Sequence, residues 1–492
     1  MEDKRGCALA SACPEAVSDR EWKFTGGNKL NTLAQTMAEF AFALRFDSIP
    51  TEIVTAARRH LADTLACALG ARNAAPVADL RKYAIAKGGR ADATIIGVAD
   101  KVPAGLAVLV NGTMIRYLDA NDIFVLSRGG ASGHFSDGTA ALLALAEQYR
   151  RSGEELLTCL VASYELQAVL AESFNFWGSG LHPLTNVAWV VPIVAARLAG
   201  ATAAQAVHAC GLSVATSTVL NTWIRPAHSI PAIKAVAVGM VLERVLETAE
   251  CAALDVTATE DALETAFACF SAQRNFRIDP TRTERLGQHW SMSRNMIKVY
   301  PAQINTQAAI EAAVRLYQNG IRPDRVRKLI LYGHRNVCGG VQGSPQAFAP
   351  SSREAADHST PYVMAMALSR GRLTPREYQG SPWTASEVKA LMEKVELVID
   401  PERDRAFDSD GILGVRLVAE LTDGRTEEII VRQPKGHPDA PLDDTELLEK
   451  MTWLLQDVAP AHTPRRLLEI CNRLSTSDDV REVIEACSLR QG

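Results

Sequence analysis

Apolar residues recur at three- and four-residue steps from residue 31 to about residue 290, a spacing typical of helices that bury one face. Alanine is abundant on these apolar faces, which suits helices packed closely in a large bundle. The first segment runs through Leu33, Met37, Phe40, Ala41 and Leu44. Further helices are predicted at Ile53–Leu69, Ala104–Asn111, Gly138–Tyr149, Leu156–Phe174, Val187–Leu198, Ala203–Leu212 and Ile233–Thr248.

The pattern changes near residue 290, where β-branched residues begin to alternate along short segments. Strands are predicted at Val326–Tyr332, Val395–Ile399, Val415–Leu421 and Glu427–Val431. The last two flank the turn Thr422–Arg425, a signal typical of a hairpin. Helices are predicted between the strands at Thr306–Gln318 and Pro361–Arg370, and again near the end of the chain at Asp444–Leu455 and Pro464–Leu474.

This order of segments predicts two domains, because 492 residues exceed one ordinary hydrophobic core. The expected fold is mostly α with an α+β second domain. A large all-helical domain is built from both chain ends, 31–290 and 437–492, and a smaller α+β lid domain spans 291–436. The first thirty residues show no periodicity and are expected to form a loose leader.

Charge and cysteine usage exclude several classes of protein. A net charge of -5 argues against binding to nucleic acid or to an acidic membrane, since either needs a basic surface. The ten cysteines form no CxxC pair, which argues against zinc and iron–sulfur sites. The N-terminus has no apolar core of signal-peptide length, and Val187–Leu198 is too short to span a bilayer. We therefore expect a soluble, cytoplasmic protein.

Two polar segments precede apolar helices in the first half of the chain. Residues 118–138 carry Asp119, Asn121, Asp122 and His134, although Ser136 or Asp137 could simply cap the next helix. Residues 178–183 carry His182, which at its ordinary pKa could give or take a proton near neutral pH. A lone loop histidine is more often a surface or capping residue.

Three further segments place polar groups in apolar or boundary positions. Lys234 follows Arg225 and lies among Ile, Ala and Val, where a cation costs free energy unless it meets an anion such as a bound carboxylate. Lys298, with Tyr300 and Gln303 nearby, lies at the predicted domain junction, where clefts are common, although a linker with a solvated lysine fits equally. In the last segment, residues 355–362, helix capping is the favoured interpretation.

Taken together and in this order, the five segments resemble the MmgE/PrpD family, which includes 2-methylcitrate dehydratase and cis-aconitate decarboxylase. Four stretches of the second half support the resemblance: Ala356–Ser359, Gly371–Thr374, Leu421–Gly424 and Gly436–Pro438. It covers most of the chain from about Leu33. It implies a helical domain with an α+β lid, a homodimer, and an active site between domains that needs no metal and no organic cofactor.

The resemblance also implies roles for particular residues. The catalytic positions correspond to Asp119, His134, His182, Lys234 and Lys298. The substrate-binding positions are Asn121, Asp122, Arg225, Tyr300 and Gln303. We expect Lys234, Lys298 and Arg225 to hold carboxylates of the substrate. Proton transfer is expected from Asp119, His134 and His182.

The chain departs from the family pattern at several positions of these segments. Ile123 replaces a threonine, Ala120 replaces a phenylalanine, and Gln303 replaces a histidine or a glutamate, so that no proton can be shuttled there. The expected function is a cofactor-independent lyase for a small di- or tricarboxylic acid, most simply a hydro-lyase that dehydrates a 2-alkylcitrate. Alternatives are a cis-aconitate-type decarboxylase, an isomerase or epimerase of a dicarboxylate, and an inactive binding or scaffold protein.

Overall fold

The computed structural model describes residues 31–98, 100–126, 132–224, 230–271 and 280–488, so the predicted leader lies outside the described residues. Ten helices form the first part of the chain: α1 Leu33–Ala43, α2 Thr51–Ala71, α3 Ala75–Lys87, α4 Ala104–Tyr117, α5 Thr139–Gln148, α6 Gly153–Ser173, α7 Leu184–Leu198, α8 Ala203–Thr216, α9 Ile233–Ala253 and α10 Ala262–Ser271. The described residues of this part also include four two-residue strands: β1 Ala93–Thr94, β2 Lys101–Val102, β3 Ile123–Phe124 and β4 Asn295–Met296.

The second part of the chain combines a sheet with shorter helices. Its helices are α11 Gln307–Gln318, α12 Arg335–Cys338, α13 Arg353–Ala356, α14 Thr360–Arg370, α15 Ser386–Met392 and α16 Pro401–Asp410. Its strands are β5 Val326–Gly333, β6 Val395–Ile399, β7 Val415–Leu421 and β8 Thr426–Val431. The helices α17 Asp444–Leu455, α18 Thr463–Arg473 and α19 Arg481–Ala486 follow. The predicted fold class, mostly α with an α+β part, is confirmed.

The four long strands form one sheet in the order β6-β5-β7-β8. Strand β5 is parallel to β6 and antiparallel to β7, and β7 and β8 form the predicted hairpin. Along β7 the residues alternate between buried and partly buried, and α11 packs against both β7 and β8. This gives a two-layer arrangement with its own hydrophobic core.

The buried apolar side chains fall into two main clusters. One draws on residues 33–297 and 442–487, and the other on residues 302–431. Helices α17 and α18 both contact α2, so the last helices pack on the first cluster. The predicted domain boundaries at 290 and 436 stay predictions.

Helices α4 and α9 cross in close contact, and glycines permit it. A Cβ on Gly239 would lie 2.0 Å from the carbonyl oxygen of Leu109, and a Cβ on Gly112 would lie 3.0 Å from the Cα of Gly239. The predicted end of α4 at Asn111 is wrong, because Gly112 belongs to this helix contact and α4 continues to Tyr117. The crossing brings the C-terminal end of α4 close to the first turn of α9.

Most other predicted helices are confirmed with their ends shifted by a few residues. The helices α3, α10, α12, α13, α15, α16 and α19 lie where no helix is predicted. In α3 only Val77 and Ala84 are buried, while Tyr83 and Ile85 are exposed, so its apolar residues do not mark one buried face and no helix is predicted there. No helix in the described ranges is long and apolar enough to cross a membrane.

A buried carboxylate holds the segment that connects the two clusters. Glu165 of α6 accepts hydrogen bonds from the backbone N–H groups of Ser291 (2.8 Å) and Met292 (3.1 Å). Burial raises the pKa of Glu165 to about 7, although these N–H groups oppose the shift. The folded protein therefore holds this proton more tightly than the unfolded chain does.

We expect Glu165→Gln to flatten part of the pH dependence of stability. Because the folded pKa is raised, the contribution of Glu165 is fully present below about pH 4.5 and is lost as the pH rises through about 7. As the pH rises from about 4.5 to about 7, the natural protein should therefore lose stability relative to the variant. Thermal unfolding of both proteins at pH 5 and pH 8 measures this, and an equal difference at both pH values would contradict it.

Candidate active site

Asp119 lies between two lysine ammonium groups at the end of α4. It adopts a left-handed backbone conformation, with φ of 53°, which is uncommon for a residue other than glycine. Its Oδ2 lies 2.8 Å from the Nζ of Lys234, in the first turn of α9. Its Oδ1 accepts a hydrogen bond from the Nζ of Lys298, which follows β4. The three side chains are buried, so these charges meet away from water.

A second carboxylate, Asp357, binds Lys234 from the other side. Both Asp357 oxygens lie 2.9 Å from the Nζ of Lys234. The Arg353 guanidinium donates to Asp357 at 3.1 Å, and Nδ1 of His358 lies 2.6 Å from it. Lys234 therefore bridges two carboxylates that come from the two different parts of the chain.

The site contains three residues that the sequence pattern does not indicate, Asp357, His358 and Arg353, because polar residues before a helix are most simply caps. The predicted capping within residues 355–362 is confirmed, since Ser359 caps α14 by accepting from the backbone N–H of Tyr362. Asp357 of the same segment instead bonds to Lys234. In the loop before α5 the capping interpretation is wrong, because neither Ser136 nor Asp137 caps that helix. One signal in the sequence does indicate that a partner is needed, because Lys234 has no anion near it along the chain.

The charges fix the protonation state of both carboxylates. Burial alone would raise the pKa of Asp119, but Lys234 and Lys298 outweigh it and hold this pKa well below its usual range. Burial is likewise outweighed at Asp357, whose pKa is lowered by Lys234, His358 and the nearby arginine. Both groups are ionised near neutral pH and act as hydrogen-bond acceptors. Asp119 therefore has the geometry of a counter-ion, and its predicted part in proton transfer gains no support.

Two groups of the cluster are suited to proton transfer near neutral pH. Burial lowers the pKa of Lys298 to about 8, with Asp119 opposing the shift. Burial and the charge of Lys234 lower the pKa of His358, so its ring is neutral. Because ionised Asp357 can only accept, Nδ1 of His358 donates to it and Nε2 keeps a free lone pair.

The two predicted histidines lie at different distances from this cluster. Nε2 of His134 is 3.8 Å from Oδ1 of Asp119, at the edge of direct contact. In the described part of the chain His182 makes no direct contact with the cluster itself: its ring contacts Trp177 and Trp223, and its Nδ1 accepts from the backbone N–H of Leu184 at 3.1 Å. Burial lowers the pKa of His182 to about 3, so it is neutral and does not shuttle protons near neutral pH.

Asn121 and Asp122 are engaged in holding the loop. The Asn121 amide donates to Ser136 Oγ and to Asp137 Oδ1, both at 3.0 Å. Asp122 accepts from the backbone N–H of Ser136 at 3.0 Å and lies 3.4 Å from Nδ1 of His60. Their predicted contact with substrate stays a prediction.

The remaining predicted binding residues lie beside the cluster or outside the described part. Gln303 donates its backbone N–H to the carbonyl of Asp357, while its side chain accepts from the backbone of Asn305. The Tyr300 backbone pairs with the Gln307 amide. Arg225 lies outside the described residues. The roles of Gln303, Tyr300 and Arg225 in binding stay predictions.

A lysine from the last helices supports the loop that carries Asp119. The Nζ of Lys450, in α17, donates to the carbonyl of Ala120 at 2.8 Å and lies 2.5 Å from Oδ1 of Asp63 in α2. Both charged groups are fully buried. Lys450 was missed because its partner is a backbone oxygen far away in sequence, for which no pattern gives a signal.

Asp119, Asp357 and His358 also have ligand atoms close enough together to hold a metal ion, all within 4.8 Å of one another. The Lys234 ammonium already bonds to both carboxylates, and it supplies the positive charge that an ion would bring. The donor set therefore fits an internal ammonium at least as well as a metal.

Buried groups with strongly shifted pKa values, gathered between two cores, are typical of an enzyme active site. Family models agree: the MmgE/PrpD N-terminal domain matches residues 35–277 and the MmgE/PrpD C-terminal domain matches residues 300–476. The chain therefore belongs to the MmgE/PrpD family, and the predicted resemblance is confirmed.

Several relatives are named for one reaction. The chain is 27% identical to 2-methylcitrate dehydratase of Escherichia coli K12, over 73% of this chain and 77% of the relative. It is 24% identical to mitochondrial 2-methylcitrate dehydratase of Yarrowia lipolytica, over 92% and 89%. A cis-aconitate decarboxylase-like protein of Aspergillus oryzae is 28% identical, over 42% and 43%. The prediction of an enzyme of the lyase class is confirmed.

Proposed function

We propose that this protein is a hydro-lyase that dehydrates a 2-alkylcitrate-like tricarboxylate and needs neither a metal nor an organic cofactor. The observation that carries the proposal is the buried Lys234, held between Asp119 and Asp357 beside Lys298 and His358. Such a site can bind carboxylates and can also move protons. The names of the relatives support dehydration as the reaction.

Dehydration requires a base that removes a proton from carbon next to a carboxylate. Nε2 of His358 is our candidate, because Asp357 fixes the ring by accepting from Nδ1. A carboxylate that orients a histidine in this way also stabilises the cation that forms when the ring takes up the proton. His134 is the alternative base, on the other side of Asp119.

The departing hydroxyl must receive a proton as the carbon–oxygen bond breaks. Lys298 is suited to this because its pKa of about 8 lies close to neutral pH. Its ammonium bonds to Asp119 and to the carbonyl of Ala302 at 3.2 Å, which leaves one N–H for the substrate. When the product leaves, Lys298 regains a proton from solvent and His358 releases the proton that it took from carbon.

Negative charge builds up on the substrate carboxylate next to the carbon that loses its proton. A fixed ammonium in a site without water stabilises that charge strongly, because its dipolar surroundings are already arranged. Lys234 is the cation for this role, since two carboxylates hold it in place. Access to these buried groups requires the two parts of the chain to separate locally.

We expect 2-alkylcitrates to be dehydrated faster than cis-aconitate is decarboxylated. Purified enzyme, with a chelator present, is offered 2-methylcitrate, longer 2-alkylcitrates and cis-aconitate, and kcat/KM is measured from the absorbance of the new double bond and from released CO2. A dehydration rate within about 10⁴–10⁸ M⁻¹s⁻¹ for one 2-alkylcitrate is the expected result. Since Ile123, Ala120 and Gln303 depart from the family pattern, we expect a longer alkyl group than methyl to be preferred.

Three outcomes would contradict the proposal. Faster release of CO2 from cis-aconitate would favour a decarboxylase. Binding of these acids without turnover would favour a scaffold protein. Activity that is lost with the chelator and returns with a divalent metal would overturn the cofactor-free mechanism. A homodimer and a cytoplasmic location stay predictions.

A further inference from the structure

We propose that Arg116 and His182 form a subsite that binds a third carboxylate of the substrate, separate from the lysine cluster. This inference rests on the proposed function, because it gives a place to one carboxylate of a tricarboxylate. Arg116 lies in the last turn of α4, three residues before Asp119. His182 lies just before α7.

Arg116 is a buried cation with an incomplete set of partners. It is 6% exposed, and its Nη1 lies 3.4 Å from Oδ2 of Asp137. Charge-assisted hydrogen bonds of this kind typically measure about 2.7–2.9 Å, so this contact is loose. Within the described ranges Nε of Arg116 is buried with no hydrogen-bond partner. The other oxygen of Asp137 accepts from the Asn121 amide.

The other cations of the site are better paired within the chain. Lys234 and Lys298 share Asp119, and Arg353 bonds to Asp357 and to two backbone carbonyls. A buried charge that lacks a good partner is costly, and a guanidinium matches a carboxylate with two parallel N–H groups. A substrate carboxylate would complete the coordination of Arg116.

The charge of Arg116 reaches both sides of the site. It contributes to the lowered pKa of Lys298 on one side and to the lowered pKa of His182 on the other, in each case after burial. The loop of residues 133–137 connects Arg116 and His182. Its Asp137 lies 3.4 Å from Arg116, and a Cβ on its Gly133 would lie 3.2 Å from Cβ of Pro183, the neighbour of His182. A tricarboxylate that has one carboxylate on Lys234 can extend toward this second position.

His182 supplies a neutral hydrogen-bond donor at the subsite. Because its Nδ1 accepts from the backbone of Leu184, the hydrogen of the neutral ring is on Nε2. The ring centroids of Trp177 and Trp223 lie 5.4 and 4.8 Å from that of His182, and these rings keep it in place. A neutral donor binds an anion without a change of protonation, which replaces the proton-transfer role predicted for this residue.

Two acids that cannot be dehydrated test the subsite by binding alone. Tricarballylate and glutarate have the same carbon chain, but glutarate lacks the central carboxylate. Calorimetry on the natural protein should give tighter binding of tricarballylate. Arg116→Gln should weaken tricarballylate about 10- to 100-fold, as expected for a lost charge-assisted bond, and leave glutarate unchanged. Arg116→Lys should keep part of the preference, and His182→Phe should weaken tricarballylate about 2- to 10-fold.

Arg294→Gln is the matched control, because Arg294 is already paired with Glu172 at 2.6 Å. This variant should prefer tricarballylate over glutarate as the natural protein does. Equal weakening of both acids by Arg116→Gln, or no weakening of either, would overturn the subsite. If Arg116→Gln does not fold, Arg116→Lys takes its place. Full affinity of that protein for tricarballylate would likewise overturn the subsite. Because neither acid reacts, a protein that dehydrates no 2-alkylcitrate but keeps this pattern would refute the proposed function and not the subsite.

Discussion

Lys234→Met is expected to reduce turnover by at least about 10²–10³-fold, the loss typical of removing one fixed donor for a developing negative charge. The physical reason is that Lys234 is bonded to both Asp119 and Asp357 and is the cation proposed to stabilise the reacting carboxylate. Its removal also leaves two buried carboxylates with less compensation. A destabilisation of about 3–5 kcal/mol is expected from breaking a buried ion pair.

The measurement is kcat/KM together with the free energy of unfolding in denaturant. Lys328→Met is the control, since Lys328 is a partly exposed lysine that pairs with Glu396 on the sheet, and it should change neither value appreciably. If the loss of stability is too large for assay, Lys234→Met combined with Asp357→Asn removes one charge of each sign. A folded Lys234→Met protein with near-normal kinetics would show that this ammonium is only structural.

Asp119→Asn is expected to reduce kcat/KM about 10²–10⁴-fold and to do so most strongly above neutral pH. Asp119 opposes the effect of burial on Lys298, whose pKa is about 8. Without that negative charge the pKa of Lys298 falls further, so the lysine loses its proton at lower pH and can no longer protonate the leaving hydroxyl. The alkaline limb of the pH profile should therefore move to lower pH.

The test is a profile of kcat/KM against pH for the natural enzyme and for Asp119→Asn. Asp423→Asn, in the exposed hairpin between β7 and β8, removes a carboxylate that pairs with Arg325 and Arg425 and should leave the profile in place. A loss of activity by the same factor at every pH would show that Asp119 acts on the shape of the site and not on the proton of Lys298.

Much of the fold could be predicted because it depends on local periodicity. The hairpin turn at Thr422–Arg425 fixes the pairing of its strands, and the predicted strand Val415–Leu421 agrees with the structure. The predicted end of α4 is too early, because a glycine such as Gly112 is unfavourable in a helix by itself. Its presence there is explained only by the close contact with Gly239 on another helix. Propensity carries no information about such a contact.

The candidate site could be predicted only in part, for a related reason. An isolated lysine among apolar residues indicated that Lys234 needs an anion, and the structure supplies Asp119 and Asp357. The sequence could not indicate Asp357 as the partner, because 123 residues separate it from Lys234. The pKa values distinguish Asp119, a counter-ion, from Lys298, a proton donor. These values depend on burial, which cannot be obtained from a sequence pattern.

The bond between Lys450 and the carbonyl of Ala120 has a consequence for how the protein is made. It joins residues 330 positions apart, so the loop with Asp119 is synthesised long before its support. Until α17 leaves the ribosome, Asp63 has no ammonium beside it, and the helices around it cannot reach their final packing. The order of translation thus makes catalysis one of the last properties the chain acquires. A nascent or prematurely terminated chain would bind its substrate poorly, and its incompletely packed helices would be open to the proteases that remove incomplete proteins.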